Sequence, residues 1–179
     1  MAECRDSYPI EGAVESKRAV IVSTGPGYTV PMDLMTALPE RVKVVGWVDH
    51  AALLPRVAVV ASHGGMGTCN DAIRHGLPML NIPIGCDHPS ASRKIERYGM
   101  TLRLALAKAT PATIGAMMGE LVDEPSFGRR ARTLRDAWNV LGCAARAVDL
   151  IEETAADFGN RMFRVSSGNP RKLVAGNRG

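Results

Sequence analysis

Long apolar runs are missing from this 179-residue chain: no stretch approaches the roughly 20 residues needed to cross a bilayer. The opening MAECRDSYPIEGAVESKR has acidic side chains where a secretory leader would need an apolar centre, so a cytoplasmic protein is expected. Cysteine is sparse as well. Cys4, Cys69, Cys86 and Cys143 include no CxxC pair, which argues against a disulfide framework or structural zinc site and for reduced, mostly packed thiols. His50, His63, His75 and His88 include no HxxxH pair, so a metal centre made from them with Cys86 would need an accidental meeting of separate loops, and no metal is expected. Acidic residues are absent from the end of the chain, NRMFRVSSGNPRKLVAGNRG, which holds Arg161, Arg164, Arg171, Lys172 and Arg178. The net charge of +4 is therefore a property of that end, and the rest carries one acidic charge in excess. This distribution does not favour a nucleic-acid partner; residues 158–179 are expected to be a basic, flexible tail.

What is present is ordinary globular material, 46% hydrophobic and 22% charged, enough for one domain with a sizeable core. AVIV (19–22), VKVV (42–45), VAVVA (57–61) and MLNI (79–82) are short runs suited to strands buried on both faces, while the alternating TLRLAL (101–106) suits a sheet edge. Helical patterns lie between them. Residues 67–75 place Cys69, Ala72 and Ile73 on one face and stop at Gly76 before Pro78; residues 90–98 stop at Gly99. Thr110 is a candidate N-cap with Pro111 at the first helical position, opening a helix to about Val122. Beyond Pro125, Ala131, Leu134, Trp138 and Leu141 form one apolar stripe, and Ala144, Val148, Ile151 and Ala155 continue it past a break near Gly142. Strands alternating with helices predict an α/β, Rossmann-like parallel sheet covered on both faces. The domain is expected over residues 18–157, with residues 1–17 unassigned. Ligands of such sheets bind past the carboxyl ends of the strands, so the loops at 23–29, 46–50, 62–68 and 83–90 should share a rim.

One of those loops is chemically distinctive. In SHGGMGTCNDAIRHGLP (62–78), a buried strand must turn sharply into a helix, and Gly64, Gly65 and Gly67 permit backbone angles and approaches that side chains would block. Amides at the start of the helix lack internal partners and carry partial positive charge; Thr68 adds a hydroxyl and His63 an imidazole, a set suited to phosphate. The spacing is neither GxGxxG nor a P-loop. Taken alone, the same glycines serve equally well to pack a helix closely on its strand, with His63 a satisfied loop histidine.

The wider segment, GWVDHAALLPRVAVVASHGGMGTCNDAIRHGLPMLNIPIGCDHPSASRKIERYGMTLRL, resembles the C-terminal, donor-binding half of GT-B glycosyltransferases, the nucleotide-sugar-dependent family that includes plant, bacterial macrolide and animal UDP-glycosyltransferases. The resemblance extends over roughly residues 18–155 and is densest from 46 to 104. It implies that Trp47 stacks on the uracil or thymine of a UDP- or TDP-sugar while the Val48 backbone reads the base edge. It further implies that His63, Gly64, Gly65, Gly67 and Thr68 hold the diphosphate, and that Asp87 and His88 bind sugar hydroxyls. The chemistry agrees: an indole offers a flat face to a base, and a carboxylate is a strong acceptor for vicinal hydroxyls. Two positions depart from the family pattern: His88, followed by Pro89, stands where glutamine is usual after the acid, and Asp49-His50 replaces a Pro-Gln pair.

Members of the family also carry an N-terminal acceptor domain with the general base, and their donor half starts with a further strand and helix. The resemblance thus implies an inverting transferase, without added cofactor, that needs an acceptor-binding domain or subunit to turn over. The competing reading is a non-catalytic nucleotide-binding or protein-interaction module.

Overall fold

The computed structural model describes residues 8–25, 27, 29–140 and 143–167, with the side chains of 143–144 and 159–167 outside the description. The chain divides into two units, one reaching Trp138 and the other starting at Asn139.

In the first unit the apolar runs become strands β1 (Val20–Ser23), β2 (Val42–Val45), β3 (Val60–Ser62), β4 (Met79–Asn81) and β5 (Thr101–Arg103). Every pairing is parallel, as expected for an α/β fold. The ladder, however, is divided: β1 pairs with β2, and β3, β4 and β5 form a separate sheet in that order. Val20 stands opposite Val42 in the first, and Val60, Met79 and Thr101 align across the second. β5 lies at an edge, as its alternating pattern implies.

Three strands are shorter than the apolar runs that mark them, β4 by one residue and β3 and β5 by more. Residues Leu54–Arg56 close a 3-10 turn whose last bond runs from the Val57 amide to the Leu54 carbonyl, and pairing with β4 starts only where Val60 donates to Pro78. After β5 the Leu104 amide makes the last bond across to Asn81, and Leu106–Lys108 turns away.

Burial on both faces holds for β4, whose three residues are all buried. Consecutive strand side chains point to opposite faces. Met79 packs with Cys69, Ala72, Ile73, Ile95 and Ala131 on one side, and Leu80 with Leu104, Ile114, Leu121 and Phe127 on the other. The same expectation fails for β1, β2 and β3, where Ile21, Lys43 and Ala61 are exposed.

Helix α1 (Tyr8–Glu15) forms where the sequence suggests no element and buries Ile10, Gly12 and Ala13. It crosses the capped helix α6 (Pro111–Asp123) closely: a Cβ on Gly12 would lie 2.5 Å from Ile114 Cγ2, and one on Gly115 would lie 2.7 Å from Glu15 Cβ. Thr110 and Thr113 complete a capping box at the start of α6. Between the strands lie α2 (Met32–Ala37), α3 (His50–Leu53), α4 (Met66–His75) and α5 (His88–Glu96). Gly76, at φ 66°, ends α4 with bonds from the Gly76 amide to Ile73 and from Leu77 to Ala72. Helix α7 (Pro125–Val140) contributes Ala131, Leu134 and Trp138 to the core, while Leu141 lies outside the described residues.

Beyond the end of α7, the described part of the second unit is helix α8 (Cys143–Ser167), with Val148, Leu150, Ile151 and Phe158 exposed. Its apolar stripe continues the sequence pattern but is not buried, and helix persists through Ser167 where a flexible tail is expected from 158. The rest of that tail lies outside the described residues. No described helix is long and apolar enough to cross a membrane.

Candidate functional site

The turn between β3 and α4 is anchored from below by polar side chains. Asn81, fully buried in β4, accepts from the Ser62 hydroxyl at 3.3 Å and sends its amide nitrogen to within 3.8 Å of Cys69 Sγ. Ser62 Oγ in turn accepts from the Gly64 amide at 3.1 Å. Gly64 has φ 81°, and a Cβ there would run into Ser92 Oγ and come 3.4 Å from Asn81 Cγ. Positive φ and a polar floor together require glycine.

Gly65 is the N-cap of α4 and provides no side-chain acceptor. The first intrahelical bond is from the Cys69 amide to the Gly65 carbonyl at 3.0 Å, which leaves the amides of Met66, Gly67 and Thr68 as the unbonded N–H groups of the first turn. A ten-residue helix stands behind them, adding partial positive charge. Gly67 is exposed, and a Cβ on it would meet nothing within 4 Å. His63 lies over Gly65, its Nε2 2.5 Å from where a Cβ would be. Its ring centroid is 4.4 Å from that of His88, with the planes tilted by 55°. Burial, then the neighbouring His88, hold the His63 pKa below the usual histidine range, which favours the neutral imidazole.

Asp87 and His88 stand at a helix end, whereas the sequence pattern starts that helix at residue 90. Asp87 is the N-cap of α5 and His88 its first residue, because Pro89 suits the first turn. The Asp87 carbonyl accepts from the Ser90 and Ala91 amides and the Ser90 hydroxyl, while its exposed carboxylate caps nothing. Nδ1 of His88 is buried without a hydrogen-bond partner among the described residues.

Trp47 follows β2 with 72% of its surface exposed, and Val48 is half-buried beside it. Asp49 caps α3 through the Ala51 amide at 2.9 Å, and His50 Nδ1 lies 3.2 Å from Asp71 on α4, fastening this loop to the helix behind the glycine turn. Just ahead of Trp47, a cleft of about 270 Å³ is lined by Thr24, Val30, Met35, Val44, Val45 and Gly46. Thus His63 meets both Gly65 and His88, Gly64 rests on Ser92 and Asn81, Gly67 and Thr68 continue the same helix end, and Trp47 with Val48 follow a different strand. Among the described residues no three His, Cys, Asp or Glu side chains converge as metal ligands, and Cys69 and Cys86 are free thiols.

Over residues 16–153 the chain matches the family described as erythromycin biosynthesis protein CIII-like, C-terminal domain. It belongs to that family. The CIII-like domain is 32% identical, over 83% of its length, to O-mycaminosyltylonolide 6-deoxyallosyltransferase of Streptomyces fradiae, of which it covers 33%. It is 29% identical, over 81% of its length, to 3-alpha-mycarosylerythronolide B desosaminyl transferase of Saccharopolyspora erythraea, covering 34% of that protein. Among solved structures it superimposes on the glycotransferase of kitacinnamycin with a TM-score of 0.73 at 29% identity, over 80% of this chain and 38% of that one. The chain therefore spans about a third of the length of the curated relatives it matches.

Sequence reasoning did not single out the CIII-like domain's polar floor. Asn81 was visible as the one polar residue in the run MLNI, an unusual position for an amide unless it is hydrogen-bonded. Ser92 had no such signal: it sits mid-helix among polar neighbours, and only the crossing of α5 beneath the turn reveals its contact with the Gly64 position.

Proposed function

We propose that this CIII-like domain binds a nucleoside-diphosphate sugar, with UDP- or TDP-sugars as the donor class, and presents it for inverting transfer to an acceptor hydroxyl. The observation that carries the reading is the glycine-capped start of α4, whose first amides have no acceptor among the described residues and stand beside the His63 imidazole. A diphosphate supplies the acceptors those donors lack. Met66, Gly67 and Thr68 would donate through their amides, Thr68 also through its hydroxyl, and His63 through its ring. Trp47 offers its exposed face to the base, with the Val48 backbone at the base edge. The unengaged carboxylate of Asp87 suits sugar hydroxyls, and His88 adds a second imidazole beside the diphosphate.

In the reaction, the acceptor oxygen forms a bond to the anomeric carbon as the bond from that carbon to the diphosphate breaks. The electron pair leaves with the diphosphate oxygen, and the acceptor proton passes to a base on a completing domain or subunit. Charge growing on the leaving diphosphate falls on the α4 amides and His63. Apolar side chains on the strand-end loops, Trp47, Met66 and Ile84, are exposed and suit cover by that second component.

Calorimetric titration of the purified chain with UDP, TDP, GDP and their sugars tests the proposal, with His63→Ala alongside. Binding of UDP or TDP, weakened about 10-fold or more by the substitution, is the expected outcome for loss of a charge-assisted hydrogen bond. A folded chain that ignores every nucleotide, or full affinity retained in His63→Ala, would refute it.

A further inference from the structure

Helix α8 carries a repeat that the nucleotide reading does not use. In the sequence, Val148, Ile151, Ala155, Phe158, Met162 and Val165 recur at intervals of three and four residues in strict alternation. That spacing is the a and d repeat of a coiled coil, a narrower seam than the apolar stripe of a helix laid on a globular core. The face opposite the seam is polar: Arg146 and Glu153, both at the position furthest from it, lie 3.5 Å apart. Every residue from 145 to 158 is exposed. A 25-residue helix gains little in water from its own hydrogen bonds and depends on covering its apolar face.

The seam carries its own complement. Ala155 is a small residue between Ile151 and Phe158, and these three line an apolar cleft with Leu150 and Thr154. A second α8, laid antiparallel about a two-fold axis midway between positions 156 and 157, brings its Phe158 over that cleft and receives the first Phe158 over its own Ala155. In the same register, position 151 falls opposite 162 and position 148 opposite 165, so every a position meets a d position. A parallel pair in register sets Ala155 against Ala155 and Phe158 against Phe158, which leaves a void in one layer and crowds the next. Charge favours the same direction. Asp149, Glu152, Glu153 and Asp157 precede Arg161 and Arg164 along the helix, and the one base among the acids, Arg146, is bonded to Glu153. Antiparallel pairing sets Asp149 level with Arg164 and Glu152 level with Arg161, whereas parallel pairing sets acid level with acid.

We propose that α8 pairs antiparallel with α8 of a second copy of this chain, giving a two-fold dimer whose seam is centred on Ala155 and Phe158. The occupant is a second copy because the seam is self-complementary in size, register and charge, and a two-fold axis makes each match twice. This inference is independent of nucleotide binding.

Sedimentation equilibrium of the intact chain over a range of concentrations tests it. The mass should rise reversibly from monomer to dimer and no further. Phe158→Ala empties the centre of the seam while placing a strong helix former there, and Phe158 belongs to neither core cluster of the first unit; it should weaken the dimer about 10-fold or more. Glu153→Gln, on the far face, should leave dimerisation within about 2-fold of the parent. Arg161→Glu combined with Arg164→Glu should weaken an antiparallel dimer about 10-fold at low salt, and by less as salt is added. A chain that stays monomeric at submillimolar concentration would overturn the proposal, as would a dimer indifferent to Phe158→Ala or one weakened equally by Glu153→Gln. A dimer that the paired arginine substitutions leave unchanged would overturn it too, since a parallel seam sets those arginines level with each other.

Discussion

The turn after β1 and the turn after β3 both place glycine at positive φ, Gly25 and Gly27 in the first and Gly64 in the second. Around Gly25 a Cβ would meet nothing within 4 Å, and the next helix, α2, has six residues, none of them buried. The turn's Thr24 hydroxyl is directed to the carbonyls of Gly25 and Val45. At Gly64 the backbone is held against Ser62, Asn81 and Ser92, and the chain passes within two residues into a ten-residue helix with no side-chain cap. The difference separates conformational permission from function. Glycine makes either turn possible, but only the second is held in place and backed by a helix that leaves its donors unused.

The contrast can be broken most severely at Gly64. Gly64→Ala combines a strained φ with a clash on the buried floor and should cost about 2–4 kcal/mol in urea or thermal unfolding, against about 1 kcal/mol for Gly25→Ala, where only the left-handed backbone is at issue. Equal losses would show that the floor does not hold the turn. Removing the floor directly, by Asn81→Ala, leaves the Ser62 hydroxyl without its acceptor and should cost about 1–3 kcal/mol, with nucleotide affinity falling as the corner loosens.

Acidity sharpens the comparison further, because the second turn carries a histidine. The fold holds the His63 pKa below its unfolded value, so it disfavours the imidazolium and loses stability as pH falls past the usual histidine range. A bound diphosphate favours the imidazolium. Nucleotide affinity should therefore rise over the same fall in pH, with proton uptake visible in calorimetry across buffers of different ionisation enthalpy, and His63→Ala should flatten both trends. The smallest effect is expected at Gly67: with open space at its Cβ position and helical backbone, Gly67→Ala should stabilise by up to about 1 kcal/mol, yet weaken nucleotide binding by bringing a methyl to the ligand's approach. A stability loss there would show that Gly67 serves packing instead.

Much of the domain could be read locally. The start of α6 at Thr110 and the stop of α4 at Gly76 follow from capping chemistry within a few residues, the strand at 42–45 coincides with its apolar run, and the strand at 20–23 lies one residue beyond the run at 19–22. Local reading failed where a neighbour in space decides. VAVVA predicts a strand from residue 57, but pairing waits for β4 at Val60. Helix α1 has a modest pattern of its own and is recognisable chiefly through Gly12 and Ile10, which only make sense against α6. Asp87 and His88 read as a loop because Pro89 interrupts the apolar pattern, although proline is at home in a first helical turn.

The sequence by itself determined the five strand segments and the helices that start near residues 67, 90, 111 and 125, the family, and the presence of a glycine turn with His63 and Thr68 between a strand and a helix, since each depends on residues close together in the chain. Tertiary structure alone decided that Asn81 and Ser92 lie beneath that turn, that His63 and His88 stand ring to ring, and that among the described residues the strands divide between two sheets. The physical reason is the same in each case: a contact or an unpaired backbone group is a relation between segments distant in sequence, and no local pattern of side chains encodes which segment arrives.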